Sequence, residues 1–360
     1  MARQNEARAI EHMTTGKKWS RRTFVGTALV GAGVAAGALI RKTQNPIAPG
    51  KSKGVAGEGV FAYDVSEFEK TDPKHLLYQP GGSFDTGFER GKRLAVGPGG
   101  RILVAGDRSV KFLNSSGVLQ GEIKLERPPH CLHVAGADEL LVGLGNHFEI
   151  YDFDGKKKLR SPRLGQETFL TAIAAHDRTI YLADAGHREV LMCDRRTGEV
   201  TGRFGKKDEP PGAPGFVVPS PYFDLAVGRD RLHIVNPGRL RVESYTFDGR
   251  FESSWGEPGM AIDRFCGCCN PVYFTLSPDG GFITSEKGLA RVNIYSASGS
   301  FKGAVAGPET LVEDKALAKR ACADCTLGGG FDVAHDEKGR VFVLDPFRKT
   351  VRIFTPRTPA

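Results

Sequence analysis

The sequence predicts an all-β fold, a six-bladed β-propeller, and three observations support this class. Six short apolar runs recur, and they start at Ile102, Leu140, Ile180, Leu232, Gly281 and Val341. Each run lies between two further alternating runs, and Gly-Gly or Asp-Gly turns separate the runs. Alternation of period two between such turns is typical of antiparallel strands, and four strands in about 40 residues is the propeller pattern.

We expect the fourth strand of the last blade to come from the N-terminal part of the chain. The final repeat stops after its third strand, near Phe354, whereas residues 76–81 (Leu-Leu-Tyr-Gln-Pro-Gly) resemble the fourth strands of other repeats, such as residues 202–205. A strand added there leaves no long unpaired edge. We therefore predict one propeller over residues 61–360 and no second domain.

The positive charge of the chain is confined to its beginning. The net charge is +8, and residues 1–53 hold ten of the 50 Lys and Arg and two of the 42 Asp and Glu. The remaining residues carry 40 charges of each sign and are neutral. Binding to a phosphate backbone needs a basic face, so we expect no nucleic-acid partner.

The first residues resemble a twin-arginine export signal. Arg21-Arg22 precedes an apolar run, Phe24–Ile40, which Arg41 and Lys42 follow directly. Paired arginines before a modest apolar segment are typical of such signals, and 17 apolar residues are at the short limit for a membrane helix. We expect residues 1–42 to be a twin-arginine signal or an N-terminal anchor, and residues 43–60 to be a flexible linker.

This leader predicts a periplasmic or other extracytoplasmic location. The chain would touch the membrane only through its N-terminal segment, if that segment is not cleaved. A membrane or periplasmic protein partner is the corresponding expectation.

One repeat is similar to the NHL repeat. The segment 174–205, with Asp184, Gly186 and Arg188 at signature positions, carries the resemblance, and the other repeats are weaker variants. The resemblance implies a six-bladed propeller. It implies no single activity, because NHL-like propellers include lyases, lactonases and binding scaffolds.

Five of the seven cysteines lie in two short motifs. These are Cys266-Gly-Cys268-Cys269-Asn-Pro and Cys322-Ala-Asp-Cys325. Each motif comes just before the first strand of a repeat, in two consecutive repeats. We therefore expect the two motifs side by side at one mouth of the propeller channel.

Three chemistries fit clustered thiols in an exported protein. Thiolates can hold an iron–sulfur cluster or another metal, they can form disulfides, or they can act as a reactive dithiol. Twin-arginine export carries folded proteins, often because a cofactor has been loaded beforehand, which favours the metal centre. The spacing matches none of the common ferredoxin runs.

A set of basic residues is predicted on the same face as the cysteines. They occupy the loops between the second and third strands of their repeats: Arg108, His147, His187, Arg188, Arg239 and Lys287. If they converged, they would favour an anionic ligand or offset a thiolate-bound cluster. The alternative is that each is bonded within its own blade.

The sequence thus favours an exported propeller with a cysteine-bound metal or iron–sulfur centre, acting in extracytoplasmic electron transfer or as a subunit of a redox complex. The first alternative is a binding scaffold whose loops are stapled by disulfides. The second is a lactonase- or lyase-like enzyme with a metal in the channel. For that enzyme, candidate ligands are the residues that end successive second strands: Asp184, Asn236, Glu286 and Asp345.

Overall fold

The computed structural model describes residues 66–209, 212–314, 316 and 330–357. The predicted leader (1–42), the predicted linker (43–60), Cys322 and Cys325 lie outside the described residues. No helix among the described residues is long and apolar enough to cross a membrane.

The predicted six-bladed β-propeller is confirmed. The described strands form six four-stranded antiparallel sheets, which we call blades 1 to 6 in chain order of their inner strands. Blade 1 contains β2 (Gly91–Val96), β3 (Ile102–Gly106), β4 (Ser109–Leu113) and β5 (Leu119–Lys124). Blade 2 contains β6 (Cys131–Ala135), β7 (Glu139–Gly143), β8 (Phe148–Tyr151) and β9 (Lys157–Arg160). Blade 3 contains β10 (Leu170–His176), β11 (Thr179–Asp184), β12 (Glu189–Asp194) and β13 (Val200–Phe204).

The second half of the ring repeats this arrangement. Blade 4 contains β14 (Leu225–Val227), β15 (Leu232–Asn236), β16 (Arg241–Tyr245) and β17 (Phe251–Trp255). Blade 5 contains β18 (Tyr273–Leu276), β19 (Phe282–Glu286), β20 (Arg291–Tyr295) and β21 (Phe301–Ala306). Blade 6 contains β22 (Asp332–His335), β23 (Val341–Asp345), β24 (Thr350–Pro356) and the N-terminal β1 (Tyr78–Asp85).

Helices are few and short among the described residues. One α-helix, α1, spans Pro308–Leu311. Four 3₁₀ turns complete the set: Ser66–Phe68, Pro73–His75, Pro98–Gly100 and Pro237–Arg239.

The N-terminal strand closes the ring, as the sequence predicted. Strand β1 pairs antiparallel with β24, with Phe84 opposite Val351 and Asp85 opposite Thr350. The register shifts between Pro80 and Gly82, where the ladder has a bulge. This pairing gives blade 6 its fourth strand and covers the edge that β24 would otherwise expose.

The hydrophobic core lies between the blades. The second strands are buried along their whole length in several blades, for example β3 and β23, which explains why the sequence shows them as continuous apolar runs. The fourth strands alternate or are mostly exposed, as in β5. Six apolar clusters fill the six junctions between neighbouring blades, so the ring is held by side-chain packing at every junction.

Two kinds of loop open on the same face of the ring, which we call the upper face. One kind leads from the fourth strand of a blade to the inner strand of the next blade. The other joins the second and third strands of one blade. The first cysteine motif (Cys266, Cys268 and Cys269) belongs to the first kind and the predicted basic residues to the second.

Candidate functional site

The first cysteine motif lies in the upper-face loop 256–272, between β17 of blade 4 and β18 of blade 5. Cys266 is partly buried, Cys268 is exposed and Cys269 is buried. Gly267 between them has a φ of +85°, a conformation that side chains rarely adopt, so the loop turns sharply there. The turn separates Cys266 from the following pair.

Asn270, directly after the motif, ties the cysteine loop to the neighbouring loop of blade 5. Its side chain is 1% exposed. The amide nitrogen donates to the carbonyl oxygens of Cys266 at 2.5 Å and Lys287 at 2.9 Å, and the amide oxygen accepts from the backbone N–H of Lys287 at 3.0 Å. Two of these hydrogen bonds join the buried amide to the backbone of Lys287 and one joins it to Cys266, so Asn270 holds Lys287 beside the cysteines.

A buried ion pair bonds to the backbone of the cysteine loop. Arg291 and Glu286 are within 2.8 Å, with side-chain exposures of 3% and 0%. Arg291 also donates to the carbonyl oxygen of Arg264 at 2.9 Å, and Glu286 accepts from the backbone N–H of Cys266 at 3.3 Å. The loop backbone is therefore positioned by charged hydrogen bonds, which are stronger than neutral ones.

Cys268 and Cys269 bring their thiols together. Their Sγ atoms are 3.4 Å apart. The thiol–thiol hydrogen bond from Cys268 and the burial of Cys269 raise the pKa of Cys269, while the Lys287 ammonium and the Ser220 hydroxyl beside its sulfur act in the opposite direction. The pair has one sulfur in solvent and one in the protein, next to a cation.

Cys266 does not join this pair. Among the described residues, no three thiol, imidazole or carboxylate groups that include these cysteines have their ligand atoms within 4.8 Å of one another. The structure thus unites two of the five predicted metal ligands and places the third apart. The other two, Cys322 and Cys325, lie outside the described residues.

A stack of cations and aromatic rings leads from the thiol pair into the channel. The Lys287 ammonium lies 4.8 Å from the ring centre of Tyr222. The rings of Tyr222 and Tyr273 meet edge to face at 5.7 Å, and the Arg93 guanidinium lies 4.5 Å from the ring centre of Tyr273. These are cation–π and aromatic contacts within their usual range.

Arg93 crosses the channel. It belongs to the inner strand β2 of blade 1, yet its Nη2 reaches Asp224 beside the inner strand of blade 4, on the opposite side of the ring, at 3.0 Å. Its Nε lies 3.2 Å from Asp332 of the adjacent blade 6. Each aspartate also accepts a backbone N–H from the next inner strand: Asp224 from Phe274 at 3.0 Å and Asp332 from Leu94 at 2.6 Å.

The buried Arg93 guanidinium is thus paired with two buried carboxylates, those of Asp224 and Asp332. Burial alone would lower the pKa of Arg93, but Asp224 and Asp332 outweigh it and raise that pKa. Burial raises the pKa of Asp332 to about 6. Burial also raises the pKa of Asp224. The positive charge of Arg93 lowers both pKa values and offsets part of each rise. The cluster fastens blades 1, 4 and 6 to one another across the channel.

The six predicted basic residues occupy the upper-face loops, and three of them are bonded to groups in the same loop or a neighbouring loop. Arg108 donates to the carbonyl oxygen of Glu126, and Arg239 donates to that of Pro214 at 2.7 Å. His187 is bonded to Asp184 at 2.7 Å, and Arg188, exposed with a φ of +59°, lies in the same turn.

The other two basic residues are buried. His147 is 3% exposed, and burial lowers its pKa. Lys287 is 6% exposed and lies within the cysteine site. Binding of an anion by the set as a whole stays a prediction.

The residues that end the second strands hold loops of their own blades. Asp184 accepts the backbone N–H groups of Phe169 and Gly186, both at 2.9 Å. Asn236 accepts the backbone N–H of Val217 at 2.9 Å and donates to the carbonyl oxygen of Gly215 at 3.0 Å. Asp184 also lies with His187 and Glu189 in a group whose ligand atoms are within 4.8 Å of one another. Because Asp184 already accepts these backbone bonds, its geometry is that of a turn cap.

Sequence reasoning missed the Arg93 cluster and the tyrosine stack. A signal was present: the pair Phe-Asp opens two repeats, at Phe223-Asp224 and Phe331-Asp332, and an arginine interrupts the apolar pattern of β2. Aspartate at the start of an inner strand is the common element, and its side chain reaches the next inner strand in both cases.

Comparison with known proteins supports the fold alone. No family model matches the chain, and no curated protein matches its sequence, so the NHL resemblance stays a prediction. Among solved structures, a structural genomics protein of unknown function from Bacteroides thetaiotaomicron is 14% identical, with a TM-score of 0.51 over 78% of this chain and 73% of that one. A streptogramin B lyase structure is 9% identical, with a TM-score of 0.49 over 77% of this chain and 97% of that one.

Proposed function

We propose that this chain is an exported propeller that holds a metal ion through cysteine thiolates at the upper mouth of its channel and serves in extracytoplasmic electron transfer or as a subunit of a redox complex. The observation that carries the proposal is the 3.4 Å approach of the Cys268 and Cys269 sulfurs in a loop fixed by buried hydrogen bonds. Thiolates are the ligands that copper(I), zinc and iron–sulfur centres use.

The surroundings of the pair suit a bound thiolate. A metal deprotonates its cysteine ligands, so the site must accommodate negative charge. The Cys268 thiol and burial raise the pKa of Cys269 in the metal-free protein, and Lys287 and Ser220 beside its sulfur offset part of that rise, so they would stabilise the thiolate once a metal is bound. The Arg21-Arg22 leader adds a reason to expect a cofactor that is loaded before export.

Metal analysis of protein purified without oxygen tests the proposal. We expect the full-length chain, isolated from the extracytoplasmic fraction, to contain iron, zinc or copper, and the C268S/C269S variant to have lost it. The matched control is C193A, since Cys193 is a fully buried core cysteine in blade 3.

Three results would contradict it. They are a metal-free wild-type protein whose cysteines are found as disulfides, a metal retained by the double variant, and a chain present only in the cytoplasm. A metal-free protein with disulfides is the result expected if the chain is a binding scaffold whose loops are joined by disulfides.

A further inference from the structure

The turn between β11 and β12 of blade 3 places two carboxylates directly opposite each other. Asp184 ends β11, Glu189 begins β12, and the two residues are partners in the antiparallel register. Directly opposite residues point to the same face of a sheet, and like charges there destabilise the pair. The side chains are 0% and 2% exposed, so solvent does little to screen the repulsion between them. This pair is stable only with a cation close by.

The same turn in two other blades shows how the chain supplies that cation. In blade 5 the facing residues are Glu286 and Arg291, which form a buried ion pair. In blade 6 the residue that ends the second strand is Asp345, and it pairs with Arg348 at 2.9 Å, three residues further along. A guanidinium stays charged at any pH that the protein meets. Each of these turns therefore balances one buried carboxylate with one permanent cation.

Blade 3 has two carboxylates in this place, and its cations are weaker. His187 holds the position that Arg348 has in blade 6, and its Nδ1 lies 2.7 Å from Asp184 Oδ2. Arg203 lies 2.9 Å from Glu189, but its side chain is 55% exposed, so solvent screens its charge. An imidazole, unlike a guanidinium, can also bind a metal ion through a ring nitrogen.

The three side chains converge at the spacing of a metal site. Asp184, His187 and Glu189 each bring one ligand atom within 4.8 Å of the other two. Bonds from zinc to nitrogen or oxygen are about 2.0–2.2 Å long, so small side-chain rotations bring all three atoms onto one ion. Asp184 caps the turn with Oδ1, which leaves Oδ2, the atom beside His187, as its ligand. The His187 side chain is 38% exposed, so the ion has a path from solvent.

A buried hydroxyl borders the same place. Thr168 is 6% exposed, and its Oγ1 has no hydrogen-bond partner within the part of the chain that the structure describes. A Cβ atom built on Gly165 would lie 2.8 Å from this oxygen and 3.7 Å from Cε1 of His187, so the hydroxyl and the imidazole border one space. Buried hydroxyls are as a rule hydrogen-bonded, and a water on an ion at His187 would give this one a partner.

We propose that Asp184, His187 and Glu189 form a zinc site at the upper face of blade 3, in a different blade from the cysteine loop. Zinc binds imidazole and carboxylate together, and three protein ligands with one open position are typical of its catalytic sites, whereas calcium and magnesium take oxygen ligands. One divalent ion neutralises the two facing carboxylates. When it binds, the proton between Nδ1 and Oδ2 passes to solvent from a charged imidazole, or to Nε2 in a neutral one.

Competition with a zinc chelator of known affinity tests the inference on the full-length chain with C268S/C269S, in which the thiol pair cannot contribute. We expect one zinc per chain, with nitrogen and oxygen neighbours at about 2.0–2.2 Å by X-ray absorption and no sulfur neighbour. H187R and E189Q each remove a ligand and should bind roughly a hundredfold or more weakly. T168V removes only the hydroxyl and should bind roughly tenfold more weakly.

H187R is also the control for folding, because it gives blade 3 the aspartate–arginine pair that blade 6 has. Its urea midpoint without zinc should be no lower than that of its parent, and zinc should raise the midpoint of the parent but not that of H187R. Sulfur around the bound zinc, equal zinc affinity in H187R and its parent, or a chain that binds no zinc would each overturn the inference. The cysteine-bound metal of the proposed function is tested separately, by its loss from wild type on C268S/C269S.

Discussion

Replacement of Arg93 by methionine is the sharpest test of the cluster in the channel. The substitution keeps a long unbranched side chain over Tyr273 and removes the charge from between Asp224 and Asp332. The side chains of these three residues are 10%, 2% and 3% exposed. Removal of one partner from a buried ion pair leaves an uncompensated charge and costs about 3–5 kcal/mol.

The chain offers a matched control in Arg231. It also lies between two carboxylates, Asp230 at 2.7 Å and Glu252 at 3.4 Å, but its side chain is 37% exposed and those of its partners are 65% and 36% exposed. Solvent screens such pairs, so R231M should cost about 0–1 kcal/mol. The two variants differ in burial and not in the number of charges removed.

Urea unfolding at neutral pH measures both variants. We expect R93M to lose about 3–5 kcal/mol of unfolding free energy relative to wild type, and to regain part of that loss in mild acid, where Asp224 and Asp332 take up protons. A loss for R93M within about 1 kcal/mol of that for R231M would refute the argument that the guanidinium fastens the blades.

Two further predictions follow from the buried groups. Burial raises the pKa of Asp332 from 3.8 to about 6, so the folded chain binds this proton more tightly than the unfolded chain does. The stability of wild type relative to D332N should therefore be greatest at acidic pH and fall by about 2–3 kcal/mol between about pH 4 and pH 7 in urea titrations, and a difference that rises with pH would count against this assignment. In folded protein kept reduced, freed of bound metal and treated with iodoacetamide, mass spectrometry should find the exposed Cys268 modified roughly a hundredfold or more faster than Cys193, whose thiol pKa burial raises to about 12. Equal labelling of the two would show that the Cys193 side of blade 3 opens readily.

The fold could be predicted because its signal is repeated along the chain. Apolar runs such as Ile102–Gly106 and Val341–Asp345 are second strands buried on both faces, and their burial leaves a continuous apolar pattern. The closing strand was predictable for a related reason: the last repeat lacked a fourth strand, and an unpaired edge is unfavourable.

The site could be predicted only in part, because its contacts join residues far apart in sequence. Placement of the cysteine loop on the upper face followed from the repeat, and the closeness of Cys268 and Cys269 followed from their adjacency. The span from Arg93 to Asp224 did not, since no local pattern marks a side chain that crosses a ring to the opposite blade. The turn at Gly267, which separates Cys266 from the pair, is likewise a matter of backbone conformation that spacing alone does not give.

The pairing of β1 with β24 has a consequence for how the ring is assembled. The contact between Asp85 and Thr350 closes a loop of roughly 265 residues, and the chain entropy lost in such a closure is about 5 kcal/mol. During synthesis, β1 is the first of the described strands to leave the ribosome, and its partner β24 is the last of them to be made. Blade 6 is therefore completed only after β24 has been made, and any transport route that accepts only folded chains would have to wait for that late pairing.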